Sequence, residues 1–566
     1  MEPTIVKSFQ SYNSKHISNT KKAKLQKEQK VKMIELSNEY KNVICSQSYL
    51  GKKGYTIAKS ILSKEDEEFL KKDLFLKPEN FGGMGPVVSD TEISFPVYRE
   101  SSNKIYIPRF YGIERYGLPL NCEIDTGIDI DVEFAKELRD YQNNIVDVYI
   151  QHVKTPIVNG SNNNGSGGIL EVHTGAGKTV MALKIITILK KKTLILVHKE
   201  FLMNQWIERI TEFIPNARVG KIQGSLLDVD NKDIVIGMIQ SMYEKDFPND
   251  LFSQFGLTII DEVHRIGSEQ FSKTLFKTIT PYMLGISATV DRKDKLTKLL
   301  YMFIGPKIYN SERKNGDLVC VRAIDYISNE RDLEFRETEY DFRGKPQYSK
   351  MIVKLCQYGP RSDFIVKVIR DLIEEHPNNQ IMILAHNRSL LTYLYDAIHY
   401  HNITTVGYYL GGMKQSELQK TEKQQIVIAT YAMAAEALDI KTLSTLIMVT
   451  PKTDIIQSVG RILRTKHENP IIVDIIDTHD LFQNQWRQRF TFYKKCNYRV
   501  RRIKSTDYKN MLIDWDNDRT WRKLNDYSNQ CNNNIEPQNI NNINHSVLHY
   551  NDDSNVPQGK CLITLE

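Results

Sequence analysis

Short, mostly apolar runs separated by amphipathic stretches occur in two sets along the 566 residues. The first set covers 169–172, 193–198, 234–237, 257–260 and 283–287. The second covers 381–385, 405–410, 426–429, 445–449 and 471–476. An uninterrupted apolar strand has both faces covered, and the stretches between the runs carry helical spacing. The pattern therefore predicts an α/β protein with two parallel-sheet domains in tandem, at 126–310 and 351–505. Residues 311–350 are charged and irregular and read as a linker. After the last apolar run, Asp480–Lys495 has the spacing of a helix.

Elsewhere the pattern is weaker. Residues 51–125 alternate short strands and turns, with 94–98 and 104–112 reading as a hairpin pair. They form a small α+β accessory domain whose spacing shows no chemistry. Residues 1–50 form a basic arm with Lys21, Lys22, Lys24, Lys27, Lys30 and Lys32 on one exposed helix. That arm is either a solvated face or a phosphate-contacting one. Residues 159–168 are rich in Gly, Ser and Asn and read as a flexible loop. The low-complexity tail, 506–566, is asparagine-rich over 529–555 and poor in large apolar residues, so it is expected to be disordered.

Composition narrows the class. Hydrophobic residues make up 41% and charged residues 26%, as in soluble globular proteins. No run of about 18 apolar residues predicts a membrane span. Residues 1–15 lack the apolar core of a secretory signal. The seven cysteines are scattered without a Cys-x-x-Cys pair. That spacing argues for an intracellular, reducing compartment and against a zinc or iron–sulfur site. A net charge of +7 permits a nucleic-acid partner without requiring one.

The chemistry concentrates at strand ends. Glu171-Val172-His173-Thr174-Gly175-Ala176-Gly177-Lys178-Thr179 follows the first apolar run and opens a helical stretch. Backbone N–H groups of such a loop curl around a polyphosphate, and the helix N-terminus adds positive potential. Lys178 reaches the outer phosphates and the Thr179 hydroxyl binds magnesium in this motif; Val172 stands where the strict pattern has glycine. Asp261-Glu262-Val263-His264 ends another run. Asp261 can hold the same magnesium, and Glu262 can polarise a water in line with the γ-phosphate. Ser287-Ala288-Thr289 ends the next strand, where small hydroxyl residues could relay the nucleotide state. In the second domain Gln457-Ser458-Val459-Gly460-Arg461-Ile462-Leu463-Arg464 places Arg461 and Arg464 three apart, on one face of a helix. Guanidinium groups there would neutralise γ-phosphate charge. Ala429-Thr430 and Glu436-Ala437-Leu438-Asp439-Ile440 accompany them.

In this order the motifs resemble those of the superfamily 2 helicases and translocases. Leu138-Arg139-Asp140-Tyr141-Gln142 resembles the adenine-reading motif of the branch holding the TFIIH repair helicase and the phage recombination helicase. So does Ser287-Ala288-Thr289-Val290-Asp291-Arg292-Lys293-Asp294, with Lys293 where the repair helicase has Glu. The chain is most similar, over roughly 54–502, to poxvirus-type transcript-release helicases of large DNA viruses. Tyr98-Arg99-Glu100-Ser101, Pro108-Arg109-Phe110-Tyr111-Gly112 and Val473-Asp474-Ile475-Ile476-Asp477 carry that similarity.

The resemblance implies RecA-like lobes, ATP with magnesium, and 3′-to-5′ movement on DNA, with RNA as an alternative track. It implies work in transcript release or on DNA intermediates, with transcription machinery as a partner and a viral setting in host cytoplasm and virion. It assigns adenine to Gln142 and the phosphates and metal to His173, Thr174, Gly175, Ala176, Gly177, Lys178, Thr179 and Asp261. It assigns the attacking water to Glu262, coupling to His264, Ser287 and Thr289, and inter-domain nucleotide contacts to Asp439 and Gln457. Arg461 and Arg464 are the fingers, and Ala437 stands where the family has glycine. Nucleic acid would meet His198, Lys199, Gln240, Ser241, Asn387, Arg388, Gly411, Gly412 and Thr430. Tyr498, Arg499, Arg501 and Arg502 either grip a strand or form a solvated face. A duplex translocase without strand separation and a non-catalytic nucleic-acid clamp are the rival readings.

Overall fold

Parallel strands are covered by helices on both faces, and two such sheets form the body of the protein. The computed structural model describes residues 36–76, 94–155, 166–173, 175–248, 250–262, 269–288, 297–311, 318–436, 438, 440–465, 467–509 and 521–527. In the first lobe the spatial order is Leu226–Leu227, Val219–Gln223, Ile234–Met238, Thr193–Val197, Leu257–Asp261, Tyr282–Ser287, Gly167–Val172 and Lys307–Ser311. All pair in parallel except the short edge strand Leu226–Leu227. Helices cover both faces, as parallel crossovers require.

The second lobe repeats the plan. Its order is Val406–Tyr409, Ile426–Thr430, Gln380–Ala385, Leu443–Met448, Ile471–Asp477, Cys320–Tyr326, Arg499–Lys504 and Arg522–Asn525, with only the last strand antiparallel. Two of these strands correct the sequence expectations. Cys320–Tyr326 lies inside the supposed linker 311–350 yet pairs between Ile471–Asp477 and Arg499–Lys504. It escaped notice because Arg322 and Asp325 interrupt its apolar run. Both are paired: Arg322 donates to Glu375 at 2.7 Å, and Asp325 accepts from Arg502 at 2.7 and 2.6 Å. Likewise Arg499, Arg501 and Arg502 do not form a solvated face: they lie in strand Arg499–Lys504, buried or half-buried, with Arg501 paired to Asp526 at 3.3 Å.

Two buried guanidinium–carboxylate pairs brace this lobe, from the middle and the end of strand Ile471–Asp477. Arg361 donates to Asp477 at 2.6 and 2.8 Å and to the Val449 carbonyl at 2.8 Å, with both side chains fully buried. Arg489 donates to Asp474 at 2.8 and 2.9 Å, and the Tyr493 hydroxyl adds a bond at 2.9 Å. Such bidentate pairs fix geometry as well as charge.

The accessory domain also differs from its expected outline. Its sheet runs Arg99–Glu100, Lys104–Ile107, Gly54–Ala58, Tyr49–Gly51 and Asn121–Cys122. The expected hairpin of 94–98 with 104–112 does not form. Phe95–Pro96 pairs with Phe75–Leu76, and Pro108 opens a helix at Arg109–Tyr116. The supposed arm 1–50 contributes helix Asn38–Gln47, whose Ile44 is buried in the accessory core. That core is continuous with the first lobe, joining Ile44, Tyr55 and Ile107 to Phe276, Leu299 and Phe303. Arg109 is buried across the join and donates to the Thr280 and Pro281 carbonyls at 3.0 and 3.1 Å. The lysines of 21–32, most of the 159–168 loop and the 529–555 tail lie outside the described residues. No described helix is long and apolar enough to cross a membrane.

The Arg361–Asp477 pair generates a test. Asp477→Ala leaves a fully buried guanidinium uncompensated, and removing one partner of such a pair costs about 3–5 kcal/mol. Urea unfolding should show that loss, whereas Asp131→Ala, at the exposed Lys190 pair, should cost about 1 kcal/mol or less.

Candidate nucleotide site and nucleic-acid face

Among the described residues, the phosphate loop, the Asp261–Glu262 pair and Ser287 sit at the carboxyl edge of the first sheet, where open parallel sheets bind ligands. Strand Gly167–Val172 ends in Val172, which is buried inside the strand. A β-branched residue suits that position, so the glycine of the strict pattern is not needed there. The turn proper comes later. Gly175 and Gly177 take φ of 87° and 85°, and Gly177 stands at the N-cap of helix Lys178–Leu189. The left-handed turn calls for glycine at 177, and a Cβ there, 2.4 Å from Gln142 Nε2, would also displace the Gln142 amide.

Gln142 holds this loop through two backbone contacts. Its Nε2 donates to the Ala176 carbonyl at 2.8 Å, and its Oε1 accepts the Arg139 N–H at 3.0 Å. The Tyr141 hydroxyl donates to the same Ala176 carbonyl at 3.1 Å. His173 Nδ1 lies 3.2 Å from the Ser311 hydroxyl. These contacts fasten the loop to helix Asp140–Lys154, with Lys178 and Thr179 in the first turn of helix Lys178–Leu189.

Asp261 ends strand Leu257–Asp261 and is buried. Trp206 donates its indole N–H to Asp261 Oδ2 at 2.9 Å. Burial, then the neighbouring Glu262, pushes the Asp261 carboxyl up to about 6, against the opposing pull of Lys178. Glu262 itself takes φ 52°, a left-handed conformation that non-glycine residues hold only where the surroundings enforce it. Ser287 is buried at the end of the adjacent strand, one residue past the Asp261–Ile286 register pair.

The second lobe faces these groups across a cleft of about 670 Å³. Gln142, Gly175, Gly177, Lys178, Thr179, Asp261 and Glu262 line one side; Tyr409, Glu422, Lys441, Arg461 and Arg464 line the other. The two arginines do not share a helix as their spacing predicts. Helix Ile456–Arg461 closes with the Ile462 N–H on the Val459 carbonyl, and the chain turns before Arg464. The turn separates their tasks. Arg461 is buried and donates to the Leu438 carbonyl at 2.8 Å. Arg464 passes the phosphate loop: a Cβ on Gly175 would be 3.8 Å from its Cα. Burial, then the neighbouring Arg209, pushes its guanidinium down to about 10. Gln457 is half-buried on the same short helix and is not among the residues lining the cleft. Thr174, His264, Thr289 and Asp439 lie outside the described residues.

The residues expected on a nucleic-acid track also cluster at carboxyl strand edges, with unequal freedom. His198 and Lys199 follow strand Thr193–Val197, and Lys199 caps helix Glu200–Phe213. Ser241 is buried and its Oγ accepts the Gly224 N–H at 2.8 Å, so it shapes a loop. Gln240 donates to Glu244 at 3.1 Å. Asn387 caps helix Arg388–Tyr400, accepting the Ser389 N–H at 2.9 Å. Arg388 donates to the Gly411 carbonyl at 2.9 Å, joining two of the expected contacts, and Gly412 turns at φ 90°. Thr430 ends strand Ile426–Thr430 and accepts the Met433 N–H at 3.4 Å.

Trp206 and Arg209 were not singled out from the sequence. Both lie on helix Glu200–Phe213, where a Trp inside an amphipathic pattern reads as core and an Arg as surface. Only the folded cleft shows them beside Asp261 and Arg464.

Comparison with known proteins agrees with this geometry. The family described as "Type III restriction enzyme, res subunit" matches residues 135–292, and "Helicase conserved C-terminal domain" matches 365–466. A protein of Acanthamoeba polyphaga mimivirus named "Putative ATP-dependent RNA helicase L396" is 34% identical over 460 residues, spanning 79% of this chain and 85% of that one. An African swine fever virus protein named "Putative ATP-dependent RNA helicase QP509L" is 27% identical over 357 residues, 58% of this chain and 68% of that one. "DNA 3'-5' translocase XPB2" of Sulfurisphaera tokodaii is 25% identical over 415 residues, 65% of this chain and 89% of that one. The chain therefore belongs to the superfamily 2 helicases, enzymes that hydrolyse ATP in a nucleic-acid-dependent manner.

Proposed function

We propose that the two lobes close on one magnesium-bound ATP and convert its hydrolysis into movement along a nucleic-acid strand. One observation carries this reading: the phosphate loop, the Asp261–Glu262 pair and Arg464 line a single cleft between the lobes. Lys178 and the helix N-terminus receive the phosphates. Glu262 orients the attacking water. Arg464 meets charge developing on the γ-phosphate, and Arg461 keeps the turn that carries Arg464 in place.

The donor set fits magnesium. Thr179 and Asp261 offer one hydroxyl and one carboxylate in the cleft, and Mg²⁺ commonly takes one or two protein ligands plus phosphates and waters. When bound, it would neutralise the phosphate oxygens. Asp261, raised by burial beside another carboxylate, is a group that a cation would return to its ionised form.

Coupling follows from differential affinity: the γ-phosphate favours the closed cleft because only there do both lobes touch it. The track is DNA in this reading, served in transcript release or in replication and repair, with transcription machinery as a partner. RNA is the second reading, which the name of the mimivirus relative favours. ATP turnover and strand displacement measured with single-stranded DNA, duplex DNA and RNA decide between the tracks and test the duplex-translocase rival.

Lys178→Ala and Glu262→Gln should each lower nucleic-acid-stimulated turnover by about 10²-fold or more with folding retained; parent-like turnover in Glu262→Gln refutes the water assignment. Arg464→Ala should keep ATP binding and lose hydrolysis by about 10³-fold or more, as for an arginine finger; loss of binding instead would make it structural. Asp261 must be ionised to hold a metal, and its raised value means that protons compete below about pH 6. The Mg²⁺ concentration for half-maximal ATPase should fall as pH rises through about 6 and then level off. A midpoint indifferent to pH would count against Asp261 as a ligand.

A further inference from the structure

Between strand Cys320–Tyr326 and helix Tyr348–Gln357 the chain makes a tight turn that neither the core nor the nucleotide cleft uses. Phe342 at its tip is 91% exposed, and Tyr340 on its stem is 59% exposed. A large apolar ring held in water gains little from burial on folding.

The turn is nevertheless rigidly built. Tyr340 and Pro346 form an antiparallel bridge. The Asp341 N–H donates to the Lys345 carbonyl at 2.8 Å, and the Gly344 N–H to the Asp341 carbonyl at 2.9 Å. Asp341 Oδ1 accepts the N–H groups of Arg343 and Lys345 at 2.9 and 2.8 Å, and Gly344 turns at φ 70°. The stem is tied down as well: Gln347 donates to the Glu339 carbonyl at 2.7 Å, and Lys354 pairs with Glu339 at 2.6 Å.

These bonds set the charge of the tip. The Asp341 carboxylate is engaged by the turn's own N–H groups, and Glu339 is paired. Arg343 stands 5.0 Å from the centre of the Phe342 ring, and Lys345 follows it. The tip thus offers an open ring flanked by cations, the combination that stacks on a base and attracts its phosphates.

Its position agrees. The next helix starts at Tyr348, whose hydroxyl donates to the Pro451 carbonyl at 3.0 Å and whose ring lies edge-on to His386 at 6.2 Å. His386 leads directly into Asn387 and Arg388. The turn therefore springs from the carboxyl edge of the second sheet, beside the expected track.

We infer that Phe342 stacks on a nucleobase where single strand meets duplex, and that this contact separates the strands as the motor advances. The inference rests on the motor reading above and names a residue that turns movement into unwinding.

The test uses the full chain with forked DNA and RNA substrates bearing 2-aminopurine at the junction. Stacking on Phe342 should change the probe's fluorescence on binding; Phe342→Ala should abolish that change and Phe342→Trp restore it. In the same variants, strands displaced per ATP hydrolysed should fall about tenfold with alanine and recover with tryptophan, the scale of losing one base stack. Because the side chain is exposed, each variant should keep the parent's thermal midpoint. An identical probe signal in Phe342→Ala, or an unaltered number of strands per ATP, overturns the inference and leaves the ring to a protein partner. Parent protein whose ATPase no strand stimulates would instead overturn the motor reading, while the probe still decides the stack.

Discussion

The fold holds charges of the same sign close together in one cleft. Asp261 stands beside Glu262 on one lobe, and Arg464 of the other lobe approaches Arg209 of the first. A third like pair spans the cleft where Glu208 lifts the Glu422 carboxyl, whose main shift comes from burial. In a low dielectric such pairs repel strongly. Under the proposed function, a metal-bound triphosphate would carry the signs that relieve this repulsion: cation toward the carboxylates, anion toward the arginines.

A device of this kind needs stiff supports, and the second lobe supplies them with ions as well as with apolar contacts. Arg361–Asp477 and Arg489–Asp474 are buried against strand Ile471–Asp477. Each guanidinium also reaches a backbone carbonyl, of Val449 and of Lys452 respectively. These bonds lock the chain just beyond strand Leu443–Met448. In the first lobe the corresponding stiffness comes from Gln142 and Tyr141, which tie the phosphate loop to helix Asp140–Lys154.

Much of this was legible in the sequence, for a physical reason. The phosphate loop and the Asp261–Glu262 pair are contiguous segments in which strand, turn and helix signals follow directly, so local rules suffice. The strands Cys320–Tyr326 and Arg499–Lys504 were missed because charged residues broke their apolar pattern, and the partners that neutralise them lie far along the chain. Glu375 is 53 residues from Arg322, and Asp325 is 177 from Arg502. Periodicity cannot see such compensation. The shared helix for Arg461 and Arg464 failed because spacing alone does not show where a helix stops. Trp206 and Arg209 acquire their meaning only from what the other elements bring to them. Ser241 shows the converse: a residue at an expected strand edge whose oxygen is already taken by the backbone.

The join around Arg109 bears on how this protein can be divided. Its side chain crosses from the accessory helix to the carbonyls just ahead of strand Tyr282–Ser287, within one continuous apolar interior. A minimal enzyme cut at the apparent boundary near residue 125 would strip that interior open, leaving Phe276 and Phe303 facing solvent and two carbonyls without their donor. The N-terminal region is thus not an appendage on a tether but the missing wall of the motor's first half, and a shortened protein would be prone to aggregate before it could be assayed.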